Sequence, residues 1–257
     1  LQEVFDEFGQ GVPDPGAIRS FFRWTQDEWN PPASHLVLVG DGHTDPLGNL
    51  GSPPPSLFAW VKIRETDGRC LDDGFVIAHE GGDLPEAPVS RIPVDTPAEL
   101  AAVLSKIAAL QAPGSSGEWR NRMLFTADDE WGNWSQNETE HTLFCDILAD
   151  SVVHPSVDRE KFYLIEYPWP GGGREKPEAR EDFIRTLGLG FAAVYFSGHG
   201  SYGQLCHEKL FVSADIDRLE NGWRLPTMTF ASCDVGMFDL VSADCMGEEL
   251  VLQPGAG

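Results

Sequence analysis

Two short blocks carry residues able to do chemistry: SGHG (Ser197–Gly200) and ASCDVGMF (Ala231–Phe238). Each directly follows an apolar run of β type, Ala192–Phe196 and Pro226–Ala231 respectively. His199 and Cys233 are the pair that a cysteine nucleophile needs: a thiolate that attacks, and an imidazole that generates it and moves the proton. Asp128 follows a third such run, Arg122–Ala127, and Asp41 follows a fourth, Leu36–Val39. Either could orient the imidazole. The amides of Gly200 and Cys233 are candidate donors to a developing oxyanion. The glycines flanking His199 leave its ring unshielded and let a substrate main chain approach. Taken singly, a histidine after a strand is commonly a hydrogen-bonded structural residue, and a free cysteine is commonly a small buried hydrophobe. On spacing alone the catalytic and the structural explanation of the pair stand level.

The elements must bring these residues together. Strand-like runs alternate with helix-like ones throughout. Asp14-Pro15 opens a helix that Asn30-Pro31-Pro32 stops, and His35–Val39 reads as a buried strand. Pro97 opens a helix to about Leu110. After the Gln111–Gly117 stretch the pattern restarts: strand Arg122–Ala127, helix Glu138–Ala149, strand Lys161–Glu166, helix Pro177–Leu187, strand Ala192–Phe196, a turn at Asp215–Leu219, strand Pro226–Ala231 and helix Gly247–Leu252. Such alternation means α/β, with a largely parallel sheet covered on both faces. In such a sheet the ligand crevice lies beyond the carboxyl ends of the strands. Asp128, His199 and Cys233 are all read there.

The 41 acidic and 18 basic side chains give a net charge of −23. That argues against a duplex nucleic-acid partner, and equally against an anionic membrane surface. No apolar run is long enough for membrane insertion, and no basic segment followed by an apolar one opens the chain. Five widely spaced cysteines without a C-x-x-C make neither a disulfide framework nor a zinc ribbon. Gly188–Ala193 fits a dinucleotide-binding pattern, but it follows a helix and enters a strand, the reverse of the required context. Cys206-His207 is expected on a surface loop away from His199. One thiol and one imidazole are too few ligands for a closed zinc site. Asp72-Asp73 and Asp128-Asp129-Glu130 offer carboxylates of the kind structural Ca²⁺ takes, although a solvated face is the commoner explanation in so acidic a chain.

At SGHG and ASCDVGMF the chain resembles the gingipain-like cysteine peptidases, peptidase family C25 of the caspase-related clan. The likeness continues in family order through VFDEFGQGVPDPGAIRSFF (Val4–Phe22), LVLVGDG (Leu36–Gly42), RIPVDTPAEL (Arg91–Leu100), WRNRMLFTADD (Trp119–Asp129), KPEA (Lys176–Ala179) and LPTMTFASCDVGMFD (Leu225–Asp239). The resemblance implies two α/β subdomains, the second with a caspase-like, mostly parallel sheet flanked by helices on both faces. The expected division is 1–111, a linker at 112–117, and a catalytic subdomain at 118–257 that stops short of the family's next strand. It implies Cys233 as nucleophile, His199 as its partner and Asp128 as the acidic third member, in an endopeptidase whose chemistry requires no cofactor. The alternatives are a type IX secretion sortase-like transpeptidase, or an inactive caspase-like binding module. A protein or peptide substrate, type IX secretion components as partners, and secretion or display on a bacterial cell surface are implied in the same way. A pocket for an Arg or Lys side chain would need a buried carboxylate. Asp234, Asp239 and Asp244 are the candidates.

Overall fold

The chain begins with two helices, α1 (Gln2–Phe8) and α2 (Pro15–Glu28). Asp14 caps α2 by accepting from the Gly16 amide at 3.1 Å, and Pro15 fills the first helical position, where no N–H is needed. Strands β1 (Leu36–Val39), β2 (Val61–Ile63), β3 (Gly68–Cys70) and β4 (Val89–Ile92) follow, then helix α3 (Pro97–Gln111). The computed structural model describes residues 1–45, 61–63, 68–77, 84–112, 115–129, 131, 138–169, 174–241 and 243–254. By packing, the chain divides into two units, Leu1–Leu100 with Phe238–Ala243 and Ala101–Met237 with Asp244–Gly257.

In the first unit β1 pairs in parallel with β4, Leu36 opposite Val89. The expectation of a fully buried β1 is corrected. Leu38 packs on Phe5, Ala17, Ile18 and Phe75, whereas Val37 and Val39 are 54% and 46% exposed. Among the described residues α1 and α2 cover one face of this two-stranded sheet, and side chains alternate between faces. Asp41 therefore extends a sheet separate from the one that carries His199 and Cys233.

The second unit holds β5 (Arg122–Ala127), α4 (Glu140–Ile147), β6 (Asp158–Tyr163), α5 (Pro177–Leu187), β7 (Ala193–Ser197), β8 (Gly200–Ser201), β9 (Gln204–Leu205), β10 (Phe211–Val212), β11 (Thr227–Ala231) and α6 (Met246–Leu252). Its main sheet runs β11-β7-β5-β6, parallel throughout. Alternate residues of β5 face opposite layers. Leu124 joins Phe183, Ile184 and Leu187 of α5 and Met246 and Leu250 of α6. Phe125 and Ala127 join Cys145 of α4 and Tyr163 of β6. Fully burying a large apolar side chain such as Leu124, Phe125, Phe183 or Met246 contributes ~1.5–3 kcal/mol.

Strand β6 starts three residues before its expected position and ends in a 3-10 turn at Leu164–Glu166. Its charged opening is tolerated because it is an edge strand with polar partners: Arg122 bonds Glu160, and Lys161 bonds Asp146 and Asp150. The short sheet β8-β9-β10 was not foreseen. Two-residue strands carry no periodic pattern.

Where β5 ends, four charged side chains are buried together. Asp128, Asp129, Lys176 and Glu208 are each at most 2% exposed. Lys176 Nζ pairs with Asp129 at 2.8 Å, donates to the Leu164 carbonyl and lies over the Trp169 ring. Neither carboxyl oxygen of Glu208 has a hydrogen-bond partner among the described residues. Burial, then the charges of Asp129 and Asp128, push the Glu208 carboxyl up to about 7. A carboxyl raised above its ordinary value costs nothing when protonated in both folded and unfolded chains, and destabilises the fold increasingly as pH rises through 4.5 toward 7. Glu208→Gln is therefore expected to match the wild-type melting temperature near pH 4 and to exceed it near pH 8. An offset that is the same at both pH values would contradict this.

Candidate functional site

Three strands of the main sheet end on one row: Ala127 pairs with Ser197, and Ser197 with Ala231. The main chain keeps zipping beyond that row. The Asp128 amide donates to Ser197 O at 3.0 Å, and the Gly198 amide to Ala231 O at 3.3 Å. His199 and Cys233 thus each stand two residues past the row, on adjacent strands. A Cβ on Gly200 would sit 2.3 Å from Ser232 Oγ and 3.0 Å from the Cys233 carbonyl oxygen. A Cβ on Gly198 would sit 2.6 Å from the Asp128 Cβ. These glycines were expected to admit a substrate main chain. In the structure they let the chain's own strand ends close on one another. The same closeness sets Gly200 beside Cys233, the two residues proposed from sequence as oxyanion donors.

Asp128 reaches His199 through the main chain. Its Oδ2 accepts the His199 amide at 2.9 Å and its Oδ1 accepts the Asp129 amide at 2.9 Å. Burial raises the Asp128 carboxyl, and these amides with the Cys206 thiol pull it back. The carboxylate on the His199 ring belongs to Glu138, whose Oε2 lies 2.7 Å from Nε2. Both side chains are part-buried, 34% and 23% exposed for His199 and Glu138. In the sequence Glu138 stands only at the start of a helix-like run. The available signal was an acid just ahead of α4, the helix that packs beside β5 and β7.

Cys233 is exposed, and the other four cysteines are not. Burial, with carboxylate neighbours second, pushes the Cys70 and Cys145 thiols up to about 12. Burial likewise takes Cys245 to about 12 and Cys206 well above its ordinary value. Asp234, next to Cys233, has φ of +56°, a left-handed turn that Asp tolerates and that swings the chain away after the thiol.

The Cys206-His207 pair does not lie apart. The strand pair β8-β9 folds it back, so that the Cys206 amide donates to His199 O at 2.9 Å and the His207 and His199 rings lie 5.0 Å apart. His141 is a third imidazole here, 5.7 Å from the His199 ring, with Nδ1 3.1 Å from Ser197 Oγ. Of the candidate specificity carboxylates, Asp234 and Asp244 are exposed, and Asp239 is half-buried and bonded to the Cys70 thiol, so none is a buried, waiting charge. Of the candidate Ca²⁺ ligands, Asp72 is held by the Arg91 fork at 2.7 Å, Asp73 is exposed, Asp129 pairs with Lys176, and Glu130 lies outside the described residues. Two groups among the described residues bring three potential ligands within 4.8 Å of one another: Glu138, His141 and His199, and the buried Asp128, Asp129 and Glu208.

Solved structures with this fold include the Arg-specific cysteine proteinase gingipain R. It shares a TM-score of 0.68 and 16% identity, over 96% of this chain and 53% of that one. A complex of the Porphyromonas gingivalis RgpB pro- and mature domains gives 0.69 and 15%, over 98% and 54%. The present chain thus spans about half the length of those it superposes on. No curated protein matches it significantly. The model of peptidase family C25 matches residues 1–257, end to end. The sheet with its level strand ends, the exposed thiol and the carboxylate-held histidine thus sit in a chain that belongs to peptidase family C25.

Proposed function

We propose that this protein cleaves peptide bonds through Cys233. The observation that carries the proposal is the shared row of Ala127, Ser197 and Ala231, from which His199 and the one exposed thiol project on neighbouring strands. Cys233 Sγ, as thiolate, attacks the scissile carbonyl carbon, and the electrons pass to its oxygen, where the Gly200 and Cys233 amides are the candidate donors. Collapse of that intermediate breaks the C–N bond, and the leaving amine takes a proton from the His199 ring. A thioester remains on Cys233. Water, deprotonated by His199, releases the acid and restores the thiol.

Glu138 holds Nε2 and so leaves Nδ1 as the nitrogen for the thiol. It also stabilises the imidazolium that forms when His199 takes the proton. Asp128 acts one step back, fixing the His199 main chain. A peptide or protein substrate acted on outside the cell fits this reading and the family. Among the described residues no helix is long and apolar enough to cross a membrane.

Four measurements test the roles. Cys233→Ala is expected to reduce hydrolysis of an unfolded protein substrate to background without lowering the melting temperature; retained turnover would refute the assignment. Glu138→Gln should lower kcat by about 100-fold with KM little changed, the scale of a lost acid–base partner. Asp128→Asn, with one acceptor oxygen for two amides, should instead cost stability, about 1–3 kcal/mol in chemical denaturation. Reversal of those two outcomes would return the ring-orienting role to Asp128. Finally, iodoacetamide at neutral pH should modify one thiol per folded chain ahead of the rest, and Cys233→Ala should abolish that fast phase. Labelling of Cys233 no faster than the other thiols would favour an inactive binding module.

A further inference from the structure

The peptidase mechanism leaves His141 without a task. Its ring is half-buried at the start of α4, and nothing in the bond-breaking steps requires a second imidazole beside His199. We propose that Glu138, His141 and His199 form a reversible site for a divalent transition-metal ion of the zinc class, and that an ion bound there holds the enzyme off by occupying the His199 ring. The ion-binding part stands on geometry alone; the switching-off part rests on the peptidase reading.

The donor set is chemically apt. Two imidazole nitrogens and one carboxylate oxygen suit Zn²⁺ and its first-row neighbours, and suit Ca²⁺ or Mg²⁺ poorly, because those ions prefer all-oxygen shells. The three donor atoms lie within 4.8 Å of one another. A tetrahedral zinc with bonds of ~2.0–2.1 Å sets its ligands about 3.3 Å apart. The Glu138–His199 contact of 2.7 Å is a hydrogen bond, so it must open by a few tenths of an ångström to admit the ion. Glu138 precedes α4 and its N-cap Thr139, so a side-chain rotation suffices.

Two further features separate this group from a chance meeting of polar side chains. The first is orientation. His141 Nδ1 lies 3.1 Å from Ser197 Oγ, which leaves Nε2 as the ligating nitrogen. Metal-bound histidines characteristically have the other ring nitrogen held in this way. His199 is fixed through its amide on Asp128. The second is access. All three residues are part-buried rather than sealed, so the ion can enter and keep water in its open positions, as exchangeable sites do. The chain's net charge of −23 raises the local concentration of cations at such a site. The thiol and one imidazole of the strand ends are too few ligands for zinc; folding brings in a carboxylate and an imidazole from α4 and the residues before it.

An ion on His199 Nε2 displaces Glu138 from the ring and gives the imidazole a permanent positive neighbour. The ring then cannot accept the proton that peptide cleavage requires. Removal of the ion restores the Glu138 contact, so the block is reversible.

The test uses two arms. In the first, ZnCl₂ is titrated by calorimetry into Cys233→Ala, which removes the thiol as a competing ligand and any self-cleavage. One ion per chain is expected, with affinity lowered at least about tenfold by adding His141→Ala. Co²⁺ in place of Zn²⁺ should give the visible absorbance of a four- or five-coordinate ion, lost in the same variant. His141→Gln, checked for folding by circular dichroism, guards against a packing effect of the smaller residue. In the second arm, Zn²⁺ should inhibit the enzyme carrying the native thiol, chelator should reverse it, and His141→Ala should keep basal turnover while needing at least about tenfold more Zn²⁺. No stoichiometric binding in the first arm, or binding that both His141 variants leave intact, overturns the site. A protein that binds zinc as described but cleaves no peptide would keep the site and overturn the peptidase reading instead. Inhibition unchanged by His141→Ala would assign it to the Cys233–His199 pair and overturn the switch.

Discussion

The site depends on one piece of main-chain geometry: three parallel strands that end on a single row. With Ala127, Ser197 and Ala231 in register, the residues one and two places onward are spatial neighbours whatever their side chains are. Parallel register is held by evenly spaced hydrogen bonds and by the alternation that sends Leu124 to one helical layer and Phe125 to the other. A slip of one residue would exchange those layers and bury the wrong face. The spacing of the candidate site residues is thus protected by the whole hydrophobic core rather than by contacts at the site.

Buried charge is the second constraint. Asp128 is 1% exposed, and a carboxylate there is tolerable only because two amides and a thiol bond to it. What it stabilises in return is the path of the main chain at His199. Behind it, Lys176 offsets Asp129, while the Glu208 carboxyl has no hydrogen-bond partner among the described residues. The result is a rigid polar floor under a half-open histidine. Rigidity below and access above is the combination a nucleophile's partner requires, since the ring must keep its aim and still exchange protons with substrate.

Much of this was legible in the sequence. The apolar runs at Arg122–Ala127, Ala192–Phe196 and Pro226–Ala231 revealed the strands, and the rule that ligands gather at their carboxyl ends brought Asp128, His199 and Cys233 to one edge. Pro177 and Pro97 marked helix starts because proline needs no amide partner there. Glu138 was not legible, because its meeting with His199 spans 61 residues and depends on how α4 packs. The return of His207 was hidden for a similar reason: β8 and β9 are two residues each, too short to leave a pattern. Solvent faces were misjudged where a sheet is covered on one side only, as at Val37 and Val39.

The central claim is that Cys233 is the nucleophile and that its reactivity is generated by His199. Intact-protein mass spectrometry after exposure to a peptidyl acyloxymethyl ketone measures this directly, because that electrophile is captured by an activated thiolate and poorly by an ordinary thiol. One adduct per chain, mapped to the Cys233 peptide and lost in a folded His199→Ala variant, is the predicted result. An adduct on another residue, or one that forms at the same rate without the His199 ring, would contradict it.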